Sequence, residues 1–256
     1  MNFLDALALG IVEGITEFLP ISSTAHLILT SRVFGIPETE FLKSFEIAIQ
    51  LGAILAVLTL YYRSLFDWGV IKRIVAAFIP TAIIGLVFYN VAKSMLGNIT
   101  IVLWALFLGG IFMLIFERIY KRATDQGHAG REVMTTGDAV AIGFFQALAI
   151  IPGTSRSAAT ILGGLALGLS RTTITEFSFL LALPTMAAAT TLDVYKNYDV
   201  ILERGNLALL AVGFLVAYIV ALIAIKWLLS YVRRNDFTAF AFYRIAIAFV
   251  GFIFLI

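Results

Sequence analysis

The sequence predicts an all-α, polytopic integral membrane protein with about six spanning helices and two re-entrant helical hairpins. Three observations predict it. Of 256 residues, 61% are hydrophobic and only 13% are charged, about half the roughly 25% of a soluble domain. Six apolar stretches reach the length of about 20 residues that a bilayer crossing needs. Two further apolar stretches are each broken in the middle by proline and a cluster of hydroxyls. A membrane β-barrel would instead show alternating segments of about ten residues.

The first broken stretch, 3–34, carries "LPISSTAHL" at its centre. Proline removes a helix hydrogen bond and clashes with the preceding turn, and the freed backbone groups cannot face lipid. The stretch is therefore expected to enter the membrane and leave on the same side, with a kinked spanning helix as the alternative. Spans are expected at 41–62, 73–92 and 99–120. The second broken stretch, 137–169, carries "IIPGTSRSAAT" and is read in the same way. Spans at 173–195, 206–231 and 237–256 complete the chain.

Charge placement orients this arrangement. Arg63, Lys72 and Arg73 follow the first span, Arg118, Lys121, Arg122 and Arg131 the third, and Arg233 and Arg234 the fifth. The remaining connections are poorer, with Lys93 in one and Lys196 and Arg204 beside Asp199 and Glu203 in another. With both broken stretches re-entrant, all the basic connections fall on one side, which the positive-inside rule makes cytoplasmic. The first hairpin then enters from outside and the second from inside. The N-terminal run lacks a basic leader and is interrupted by Asp5, Glu13 and Glu17, so it is expected to belong to the mature fold. A net charge of +2 gives no reason to expect a nucleic-acid partner. The absence of cysteine excludes disulfides and thiolate chemistry.

The chain is a single membrane domain whose halves, about 1–122 and 133–256 around a cytoplasmic loop, are expected to form an internal repeat. A shift of 132 residues places Pro20 on Pro152, Ser22 on Thr154, Ser23 on Ser155, Phe45 on Phe177 and Gly52 on Pro184. One hairpin and three spans per half give the halves opposite topology, an architecture known from transporters.

The hairpin tips hold the chemistry. Glu13 and Glu17 are four apart and share a helix face. Two carboxylates at that spacing in low dielectric repel, and each is costly in the membrane. A cation between them would offset both costs, either a divalent ion such as Mg²⁺ or Ca²⁺ or an arginine. After Pro20 come Ser22, Ser23, Thr24 and His26. Hydroxyls in membrane helices often bond only their own backbone. A serine beside a carboxylate or imidazole, however, has the makings of an activated nucleophile, and His26 can deliver a proton near neutral pH. The second tip supplies Gly153, Thr154, Ser155, Arg156, Ser157 and Thr160 at the start of an outgoing helix. A helix N-terminus with hydroxyls binds anions, and arginine adds a fork suited to phosphate oxygens. Carboxylates and a nucleophile facing an anion cradle suit phosphoryl transfer, and lipid-facing helices around them suggest a lipid-borne phosphate.

"EGITEFLPISSTAHL" and "PGTSRSAAT" resemble the undecaprenyl-pyrophosphate phosphatase family, also known for bacitracin resistance. The resemblance covers essentially the whole chain. It implies hydrolysis of undecaprenyl pyrophosphate to undecaprenyl phosphate and inorganic phosphate at the outer face of the bacterial inner membrane. That reaction recycles the carrier lipid for cell-wall synthesis. It implies a divalent metal on Glu13 and Glu17. Catalytic positions fall on Glu13, Glu17, Ser23, His26 and Arg156. Phosphate-binding positions fall on Ser22, Thr24, Gly153, Thr154, Ser155, Arg156 and Ser157. The expected mechanism has Ser23, or a water in its place, attack the terminal phosphorus while Glu17 or His26 moves protons.

Other polar residues have structural readings. Glu46 and Gln50 border the pocket, or Lys43 and Glu46 are interfacial. Gln146 is a structural hydrogen-bonder. Arg244 pairs with an acid such as Glu176 or Asp236, or reaches an interface, and His128 is solvated. The rival function is a transporter or flippase of a lipid phosphate or small anion. A homodimer and a monomer fit the sequence equally well.

Overall fold

The computed structural model describes residues 1–95, 97–125, 130–203 and 206–256. His128 and Arg204 lie outside the described residues.

Eleven helices run through the described residues. Helices α1 (Phe3–Thr16) and α2 (Ser23–Val33) form the first hairpin, and α7 (Thr136–Ala147) and α8 (Arg156–Ala166) the second. The long helices are α3 (Glu40–Tyr61), α4 (Trp68–Val87), α6 (Ile99–Asp125), α9 (Arg171–Leu202), α10 (Asn206–Val232) and α11 (Thr238–Leu255), with the short α5 (Tyr89–Met95) after α4. Six helices are long and apolar enough to cross a membrane. The hairpin helices are not, because 14 residues in α1 give only about 21 Å of rise. The chain is therefore an all-α membrane protein.

Local chemistry fixes the helix ends. Asn2 and Thr135 open α1 and α7 with capping boxes completed by Asp5 and Asp138. Asp67 accepts from the backbone N–H groups of Gly69 and Val70, so α4 starts five residues ahead of the expected span. Lys72 and Arg73 consequently lie in its first turns rather than in a loop.

Small residues set the packing, as expected where lipid removes the usual hydrophobic drive between helices. Gly10 and Gly14 of α1 meet Gly213 and Ala217 of α10 so closely that neither has room for a Cβ. Gly143 of α7 meets Ala77 and Pro80 of α4 in the same way. The outgoing α2 and α8 each pack on their own incoming helix. Helices α3 and α9 cross at the centre, and α6 pairs with α11.

Ion pairs and backbone contacts tie the ends of α6, α9 and α11 together, and the start of α7 to the end of α8. Glu117 at the end of α6 takes both arms of Arg171 from the start of α9, at 2.5 and 2.6 Å. The same carboxylate accepts the Phe237 N–H ahead of α11. Arg131 pairs with Asp138 of α7 and joins the chain at Leu169 through an isolated β-bridge.

The two tips share one construction. Ser22 and Ser155 are the two positive-φ residues other than glycine among the described residues, at 72° and 73°. Each caps the outgoing helix, accepting from Ala25 N at 3.4 Å and Ala158 N at 3.2 Å. Ser22 therefore matches Ser155 rather than Thr154, and the register at the tips is one residue longer than the proline alignment implied. The same shift brings Glu13 onto Gln146.

Candidate active site

The tips meet inside the bundle and are tied three times. Ser157 Oγ donates to Leu19 O at 2.8 Å. Arg156 Nη2 donates to Glu17 Oε1 at 3.0 Å. Arg244, buried in α11, spreads its guanidinium over both. It donates to Pro20 O in the first tip, to Gly153 O and Thr154 O in the second, and to Ala105 O and Leu106 O of α6, at 3.0–3.3 Å. Among the described residues Arg244 forms no ion pair with an acid, so it does not pair with Glu176 or Asp236 as expected. Broken helices leave carbonyls without partners, and a buried guanidinium with five donors satisfies them.

Between the tips lies a cavity of about 140 Å³. Glu17, Ser22, Ser23 and Thr24 form one wall, and Gly153, Ser155 and Arg156 the other. Gln50, Pro152, Ile151, Ala149 and Met186 close it. The N-termini of α2 and α8 both open here, so two helix dipoles present positive ends to one volume. Gly153 holds φ at 94° against α6, where a Cβ would strike the Val102 carbonyl. Glycine therefore lets the tip backbone pack directly against α6.

Within the cavity Ser23 Oγ donates to Glu17 Oε2 at 2.5 Å. The other oxygen of Glu17 holds Arg156, whose second arm is anchored on Ser178 O at 2.9 Å. A hydroxyl bonded to a carboxylate that is itself oriented by a fixed cation is the geometry of a nucleophile with its base. Glu13 lies one turn behind. It is wholly buried, and neither carboxylate oxygen has a hydrogen-bond partner. An uncompensated buried carboxylate is costly, so the orphaned oxygens leave coordination capacity beside Glu17. Among the described residues no three His, Asp or Glu side chains gather as metal ligands. The pair fits a hard cation that completes its shell with phosphate oxygens and water.

Other expected site residues sit behind the walls. His26 Nδ1 lies 2.8 Å from Ser22 O, so it donates there, and Nε2 lies 2.9 Å from Tyr243 Oη. Both ring nitrogens are engaged, and the ring stacks on Tyr243 at 5.5 Å. Ser157 bonds Leu19 O and Ser155 Oγ. Thr154 meets Arg244 through its carbonyl, and Thr160 bonds Ser178 Oγ at 2.6 Å. Glu46 accepts from Ser31 and does not line the cavity, whereas Gln50 does. Lys43 pairs with Glu40 at the exposed end of α3. Gln146 donates to Thr81 and Thr185. The contributions of Met186, Ser178, Tyr243 and Arg244 go beyond the sequence reading. Of these, Arg244 alone carried a signal, as a charge within a span.

The family model of bacitracin resistance protein BacA matches residues 6–250. The undecaprenyl-diphosphatase of Sulfurihydrogenibium sp. is 51% identical over 96% of each chain. That of Wolinella succinogenes is 50% identical over the whole of this chain and 98% of its own. That of Bdellovibrio bacteriovorus is 47% identical over 98% of this chain and 95% of its own.

Proposed function

The chain belongs to the bacitracin resistance protein family, and from that premise we infer that its two tips form one active site for undecaprenyl pyrophosphate. The protein is an undecaprenyl-diphosphatase, releasing inorganic phosphate and leaving undecaprenyl phosphate. The observation that carries the site is the Ser23–Glu17 hydrogen bond inside an anion-binding cavity.

The pyrophosphate lies between the tips, where Arg156, the N–H groups at Gly153 and Ser155 and the two helix ends take its charge. Glu17 accepts the Ser23 proton as Oγ attacks the terminal phosphorus. The bridging P–O bond breaks, and undecaprenyl phosphate leaves with the electron pair and takes up the proton from Glu17. Water, deprotonated by the regenerated carboxylate, then attacks the phosphoserine; the P–Oγ bond breaks, Ser23 recovers its proton from Glu17 and inorganic phosphate leaves. Glu13 and Glu17 would hold a divalent cation, Mg²⁺ or Ca²⁺, which neutralises phosphate charge when bound. His26 acts as a positioning residue, fixing the Ser22 carbonyl at the strained turn. The transporter reading gives the Ser23–Glu17 contact no task.

We place the protein in the bacterial inner membrane with the cavity opening outward. Support comes from the gathering of basic connections at one end. Gln50 lies at the middle of α3, and Met186 lies in the half of the α9 span remote from that end.

The test is phosphate release from undecaprenyl pyrophosphate by purified protein in detergent. Glu17→Gln is expected to lower kcat by about 10²–10⁴-fold. Ser23→Ala is expected to abolish a phosphoenzyme trapped by acid quench. Near-full activity in Ser23→Ala would remove the serine and leave water as nucleophile.

A further inference from the structure

A second cavity, of about 430 Å³, opens on the outside of the bundle between α4 and α7. Its volume falls in the range of roughly 300–1,000 Å³ usual for ligand sites. Ile79, Pro80 and Ile83 form one wall, and Val140 and Phe144 the other. No polar side chain lines it. The Gly143 carbonyl beneath is already bonded by Thr81 Oγ1 at 2.8 Å, so the groove is dry.

The groove and the phosphate cavity share no lining residue, but exposed apolar side chains on α7 and its tip lie between them. Val140, Phe144 and Leu148 recur at helical spacing on one face of the ascending chain, and Ile151 follows at the tip. All four are solvent-exposed in the isolated chain, and Ile151 also lines the phosphate cavity. An apolar ridge thus leads from Ile151 in the cavity wall, past Leu148, to Phe144 and Val140 in the groove. Seven residues separate Phe144 from Ile151, a rise of about 10 Å, so the groove begins within a few isoprene units of the cavity.

We propose that this groove holds the prenyl chain of the substrate, with its first units over Ile151 and Leu148 and the next between α4 and α7. The proposal deepens the phosphatase reading and rests on it. A pyrophosphate in the cavity needs an apolar exit for its chain, and the ridge supplies one without passing a polar side chain.

The test measures KM and kcat for a ladder of prenyl pyrophosphates, from geranyl to undecaprenyl, in detergent. Wild-type KM is expected to fall as the chain lengthens. Val140→Trp fills the groove from α7, and Ile83→Trp fills it from α4. Each is expected to raise KM for undecaprenyl pyrophosphate about tenfold, a loss of chain binding, with kcat and the geranyl values unchanged. Ile11→Trp, on the exposed face of α1, is the control and is expected to leave the whole ladder unchanged. If both groove variants keep the wild-type ladder, or raise KM equally for all chain lengths, the prenyl chain lies elsewhere and bilayer lipid fills the groove. If wild type releases phosphate from no member of the ladder, it is the phosphatase reading that fails.

Discussion

Arg244 shows how a single buried charge can be balanced without a counter-charge. Its guanidinium is neutralised piecemeal by five carbonyl dipoles from three segments. Losing it would strand those carbonyls in a dry interior, and each hydrogen bond to a charged group contributes about 1.5–3 kcal/mol. Arg244→Gln is therefore expected to destabilise the protein by more than about 3 kcal/mol and to lose phosphatase activity. Thermal unfolding in detergent and phosphate release check the two effects. Arg244→Lys keeps the charge but offers three donors instead of five, so it should recover part of the stability and little of the activity. The sequence exposes the charge in a span but not its partners. A residue type announces its own donors, whereas free carbonyls appear only once the chain is folded. Glu17, Ser23 and Arg156 are legible because the proposed chemistry lies in their side chains. His26 has a suggestive identity, yet its neighbours occupy both of its nitrogens.

At the scale of the element, the hairpins follow from their interruptions. Proline and hydroxyls cannot continue an apolar helix in lipid, so the breaks in 3–34 and 137–169 are readable. The alignment between them is less so. Prolines invite a match of Pro20 to Pro152, but the strained backbone falls on Ser22 and Ser155. Dihedral strain leaves no mark in composition when the residue is not glycine. Holding two serines at positive φ costs on the order of 1–3 kcal/mol each, and such strain persists only where surroundings enforce it. At the second tip the backbone is packed directly on α6, where a Cβ at Gly153 would strike the Val102 carbonyl. Gly153→Ala is expected to push the second tip away from α6 and lower kcat/KM at least tenfold. Gly168→Ala, where no atom crowds the added carbon, carries the backbone cost of positive φ without displacing the tip. Comparing the two by phosphate release separates tip position from general strain.

For the whole molecule, the argument turns on sidedness. Glu117, Arg171 and the Phe237 N–H tie the ends of α6, α9 and α11 together on the side of the basic connections. The two halves, 1–122 and 133–256, are proposed as repeats of opposite orientation, each contributing one tip to the cavity. Because the chain has no cysteine, single cysteines can report topology without background. Cysteine at Ser64 or Asn235, beside the basic ends, is expected to resist a membrane-impermeant maleimide in intact cells and react after lysis. Cysteine at Glu38, at the other end of α3, should react in both. Labelling of Ser64 from outside would invert the orientation and turn the cavity toward the cytoplasm. The six crossings are plain in the sequence because hydropathy is summed over many residues. The sides of the cavity are not, because they depend on which helices touch.

The grip of Arg244 on main-chain oxygens has a further consequence. It senses the path of the chain and is indifferent to what hangs from it. Side chains at Pro20 and Thr154 can change while their carbonyls stay in place. One residue added to or deleted from either tip would rotate a carbonyl out of reach and unfasten both tips together. The Arg244 contacts thus constrain the length of each tip rather than the side chains whose carbonyls they hold.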